Sequence, residues 1–139
     1  VLLLRFGLAV VVTVMLVSAS HSLMVQQGLV ALGVEMPGRL RVETMAFDLR
    51  GLAPALAAVV GLGFGLAFPV AAWVRRRVPG WVAVLGYPLA GAAALAAALA
   101  LMALGMGMMP LAGARTGTGQ AMMILSGAMG GLIFGNLRK

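Results

Sequence analysis

Residues 52–81 read LAPALAAVVGLGFGLAFPVAAWVRRRVPGW. No charged side chain interrupts Leu52 to Val74; the triplet Arg75-Arg76-Arg77 then closes the run, and Pro79-Gly80-Trp81 turns the chain into another apolar stretch. As a helix, residues 52–74 extend about 34 Å, enough to cross a hydrocarbon core roughly 30 Å thick. In lipid an isolated strand leaves its backbone groups unpaired, so helix is the only spanning form open to a single segment. Two such runs joined by so short a turn predict antiparallel neighbouring helices.

Working outward, the same pattern recurs. The only three carboxylates of the 139 residues are Glu35, Glu43 and Asp48, which leaves four apolar stretches free of acids. We read these as transmembrane helices at about 6–27, 52–74, 81–105 and 118–137, separated by an extracytoplasmic loop at 28–51. The fold class is all-α integral membrane, a single domain over 1–139. A hydrophobic fraction of 63% with 9% charged residues lies outside the range of soluble domains. The formal charge of +7 does not point to nucleic acid, because the basic residues sit at span ends and in short loops. With no cysteine, thiolate metal sites and cysteine nucleophiles are excluded.

The first stretch, from Arg5 through Val17 to Ser18-Ala19-Ser20, has the outline of a secretory signal. Apolar residues continue through Leu23, Met24 and Val25, so an uncleaved first helix is expected, with a cleaved leader and three remaining spans as the alternative. Ser18, Ser20, His21, Ser22, Gln26 and Gln27 read as its exit into the opposite interface. In the loop, Pro37-Gly38 marks a turn. Val42, Met45, Ala46 and Leu49 then follow helical spacing, with Arg41, Glu43, Asp48 and Arg50 largely off that stripe. A short amphipathic helix on the membrane surface is predicted, and the alternation Arg39 to Glu43 also permits a strand.

Pro69 is expected to kink the second span, and Pro88 to interrupt the first third of the alanine-rich third span. Trp73 and Trp81 read as interfacial anchors beside the arginine triplet. Six basic residues (Arg5, Arg75, Arg76, Arg77, Arg138, Lys139) flank one side of the spans, and four (Arg39, Arg41, Arg50, Arg115) the other. The positive-inside rule then places both termini in the cytoplasm of a bacterial inner membrane.

Helix-packing positions form the most specific pattern. Gly127, Gly131 and Gly135 repeat every four residues, with Gly61 and Gly65 as a shorter version. Such faces let another backbone approach closely, either within the chain or on a partner. His21 is the sole imidazole and a weak candidate ligand for haem iron or chlorophyll magnesium; a polar interfacial residue is the plainer reading. The three acids suit surface pairing, Arg39 with Glu43 for example, better than acid–base catalysis, and no enzyme is expected. Gly113 to Gly119 superficially resembles a phosphate loop but lacks the lysine. A turn with Thr116 or Thr118 capping the last helix is preferred. Arg115 suits contact with lipid or a partner carboxylate. Met102, Met106, Met108, Met109 and Met122 fit flexible apolar packing better than copper binding. No cofactor or metal is assigned.

Small multidrug transporters also have four helices, but their membrane glutamate has no counterpart here, and the pore signatures of fluoride channels are missing. The Gly113-Ala114-Arg115 loop before a glycine-rich last helix resembles small uncharacterised bacterial inner-membrane proteins. By span pattern alone the chain also resembles tetrahelical accessory polypeptides of photosynthetic reaction-centre and light-harvesting complexes. That resemblance implies a part in stabilising an antenna ring or a bound cytochrome. The expected function is a noncatalytic accessory or scaffold subunit packing against a larger photosynthetic or respiratory complex. A small oligomeric transporter or channel, acting as a homodimer, is the alternative.

Overall fold

A computed structural model describes residues 1–137, and the basic pair Arg138 and Lys139 lies outside them. The described chain is helical without strands: α1 (Leu2–Ala31), α2 (Gly38–Arg75), a single turn α3 (Gly80–Ala83), α4 (Gly86–Met106) and α5 (Gly117–Asn136), with a 3-10 turn at Ala112–Ala114. Four of these helices are long and apolar enough to cross a membrane. They pack in the cyclic order α1, α2, α4, α5, so that α5 closes the bundle against α1. Short connections make sequential long helices antiparallel.

The aromatic residues explain one end of the core. Phe6 of α1, Phe64 and Phe68 of α2, Tyr87 of α4 and Phe134 of α5 form one cluster, joining all four long helices. Phe68 is its hub, stacked on Phe64 with centroids 4.6 Å apart and on Phe134 at 4.5 Å. Offset and edge-on ring pairs of this kind add about 0.5–1.5 kcal/mol each beyond buried area. Phe47 is the one phenylalanine outside the cluster, and it is exposed.

Three expectations are corrected. Residues 38–51 are not a separate surface helix or a strand. They are the first turns of α2, which runs about 57 Å at 1.5 Å per residue. A helix interior satisfies their backbone groups, and α1 supplies a neighbour for one face, so nothing obliges the chain to break at Gly51. The inward stripe is also displaced: Asp48 faces α1, whereas Val42 is exposed. α2 continues to Arg75 with both Pro54 and Pro69 inside it. Pro88 does not interrupt the third span. Val84 and Leu85 separate α3 from α4, and Pro88 falls in the first turn of α4, where its missing N–H costs little. At the other end of α4, Gly107 adopts φ +66°, the left-handed cap that glycine provides without strain.

Candidate functional site

The polar side chains collect where the second half of α1, the extended start of α2 and the 3-10 turn meet. Ser18, Ser22 and Gln26 repeat every four residues on α1, and all three are buried. The Ser22 hydroxyl donates to Asp48 Oδ2 at 2.5 Å, and the Gln26 amide donates to the Arg41 carbonyl at 3.1 Å. These bonds zip α1 to α2 below the 32–37 turn. The Gly113 N–H donates to His21 Nδ1 at 3.2 Å. Gly113 lies so close to α1 that an added Cβ would sit 2.6 Å from the His21 Cα.

That last bond bears on ligation. Accepting at Nδ1 fixes the neutral imidazole with its proton on Nε2, so neither nitrogen keeps a free lone pair for a metal. Among the described residues, no group of three or more His, Asp or Glu side chains is arranged to hold an ion. The acids have separate surroundings: Glu43 pairs with Arg39 at 3.0 Å on the surface, Asp48 holds Ser22, and Glu35 lies in the exposed 32–37 turn. The exposed pair contributes about a few tenths of a kcal/mol at most.

In the loop that resembles a phosphate cradle, the amides of Gly113, Ala114, Arg115 and Gly119 are engaged within the chain. Thr116 caps α5 by accepting from the Gly119 N–H at 3.1 Å, and Gln120 donates to the Ala114 carbonyl at 2.9 Å. Arg115 is exposed and its Nε donates to the Met109 carbonyl at 3.3 Å. The methionines divide: Met102 and Met109 pack against the core, while Met106 and Met108 are exposed.

The two glycine faces have different fates. Gly127, Gly131 and Gly135 all face α4 of the same chain. A Cβ on Gly127 would lie 2.9 Å from the Leu95 side chain, one on Gly131 would collide with the Tyr87 carbonyl, and one on Gly135 would meet the Tyr87 ring at 3.1 Å. Gly91 of α4 answers this groove, its own Cβ position overlapping the Gly127 carbonyl. Gly130 faces Thr13 and Phe64 in the same manner, which lets α1 approach α5 and the Phe64 ring of α2 reach across to it. Neither Gly91 nor Gly130 belongs to the four-residue series, which is why spacing alone passed over them. In contrast, Gly61 and Gly65 have nothing within 4 Å of an added Cβ. Between them Gly63 meets Ala94 at 3.3 Å, so α2 packs on α4 through Gly63 and turns Gly61 and Gly65 elsewhere.

At the opposite end from the polar cluster, the arginine triplet is partly held by rings. The Arg75 Cζ lies 4.6 Å from the Tyr87 centroid, and the Arg77 Cζ lies 4.2 Å from that of Trp73. Trp73 and Trp81 are both exposed at this end. No protein-family model matches the chain, and neither a curated protein nor a solved structure matches it.

Proposed function

We propose that the protein is a multi-pass subunit of a bacterial inner membrane, noncatalytic, that scaffolds a larger energy-transducing complex by docking onto one of its transmembrane helices. The observation that carries this reading is the open face at Gly61 and Gly65. In this same chain, glycines on α5 bring the α4 backbone into contact, so the chemistry of such a face is already exemplified. Pro69 adds a second element. It has no N–H, so the Gly65 carbonyl lacks its usual helical donor, on an exposed part of α2. A partner helix with small residues and a Ser or Thr hydroxyl would both fill the face and satisfy that oxygen.

Purification of a tagged copy in mild detergent, with native mass analysis and an absorption spectrum, tests the proposal. Stoichiometric larger subunits, pigmented or haem-bearing for a photosynthetic or respiratory complex, are the expected result. Orientation is checked separately. The chain has no cysteine, so a single Glu43→Cys variant should react with an impermeant reagent from outside sealed cells. Protection there would reverse the proposed topology.

A transporter or channel is a second reading, favoured by one observation. The buried hydroxyls of Thr13 and Ser18 have no hydrogen-bond partner, which makes a polar trace along α1 above Ser22. A colourless homodimer with measurable flux in vesicles would establish that reading instead.

A further inference from the structure

On the flank where α2 meets α4 lies a groove of about 800 Å³ whose walls are apolar except at one end. Its floor is smooth because α4 offers alanines there, Ala90, Ala94 and Ala98, opposite Gly63 of α2. At the end nearest the 76–85 connection the groove is bounded by Arg75 and Gly86. The Arg75 stem rests on Gly86, where an added Cβ would lie 2.8 Å from its Cγ. Its Nε is shut away from solvent and has no hydrogen-bond partner. The Tyr87 ring beneath, 4.6 Å from the Arg75 Cζ, offsets part of the charge. All three acidic side chains belong to residues 35–48, at the far end of the bundle.

We infer that this groove binds an anionic phospholipid, its phosphate at Arg75 and one acyl chain laid between α2 and α4. The complementarity is of two kinds: a guanidinium held at the mouth for phosphate oxygens, and an apolar, alanine-floored channel for the chain. From Gly86 to Met102 the groove runs about 24 Å, longer than the roughly 15 Å depth of one leaflet. The half beside Gly86, Ala90 and Ala94 therefore takes the bound chain. The site rests on the membrane placement proposed above and not on the docking partner, since Gly61 and Gly65 do not line this groove.

The test uses the full chain reconstituted in an equimolar mixture of phosphatidylglycerol and phosphatidylcholine, then released for native mass analysis. The parent should retain phosphatidylglycerol in preference. Arg75→Gln should lower that preference roughly fivefold to tenfold, as expected for losing one well-placed cation at a lipid phosphate. Arg77→Gln removes the same charge from a residue outside the groove and should leave the preference intact. Ala93→Trp, at an exposed position on the groove wall, keeps the arginine and should also abolish retention. Equal losses in Arg75→Gln and Arg77→Gln would mean diffuse attraction to an anionic surface and would overturn the site. So would undiminished retention by Ala93→Trp, which decides the matter even if Arg75→Gln does not fold. Absence of larger subunits from the purified parent, with its lipid retention unchanged, would count against the docking proposal alone.

Discussion

Gly131 and Gly65 are the same residue type on similar helices, and they carry opposite expectations. Gly131 lies under the Tyr87 carbonyl, so a side chain there meets backbone that cannot swing aside. Gly131→Leu should destabilise the isolated protein by about 1–3 kcal/mol or more, the range for forcing atoms into a packed interior. Gly65→Leu projects into open space and should leave thermal unfolding in detergent unchanged. Equal unfolding temperatures for the two variants would contradict this division. The i, i+4, i+8 series on α5 was legible as a close-packing face, because the spacing of small residues follows from helix geometry. Whether such a face closes on its own chain was not legible. That depended on Gly91, one small residue within an alanine-rich run where any register looks alike.

At the scale of the element, α2 is the clearest case of partial legibility. Its apolar stretch from Leu52 to Val74 announces itself by composition. Its continuation back to Gly38 does not, because Pro37-Gly38, the charges and Gly51 all read as loop or interface signals. What holds those early turns in register with α1 is a pairing across the hairpin, Ser22 with Asp48 and Gln26 with the Arg41 carbonyl. Long-range partners of this sort leave no local periodicity, so Asp48 read as a solvated charge. The serines and Gln26 on α1 were visible at four-residue spacing but suggested an exit from lipid, not a buried seam. Ser22→Ala removes the donor and leaves Asp48 without this partner. It should cost about 1–3 kcal/mol, the usual penalty for stranding a partly buried hydrogen-bonding group, and should hasten proteolysis within residues 32–48. A cleavage pattern and unfolding temperature like the parent's would show that the hairpin does not rely on this bond.

For the whole molecule, the bundle separates its tasks by end and by flank. The polar end joins α1, α2 and the 3-10 turn; the aromatic end ties all four long helices together and carries Arg75 on Tyr87. His21, Asp48, Thr116 and Gln120 are each engaged in bonds that hold the fold, so the proposed docking onto a membrane complex is assigned to the surface. The number and antiparallel order of the long helices were accessible from acid-free runs and short turns. The surface was not, since it is defined by what α4 covers and what it leaves bare. The decisive comparison purifies the tagged parent and Gly65→Leu side by side in mild detergent and weighs the intact assemblies. The account expects larger membrane subunits at fixed stoichiometry with the parent and their loss from a folded Gly65→Leu. Identical partners on both, or a solitary homodimer from each, would contradict docking through α2.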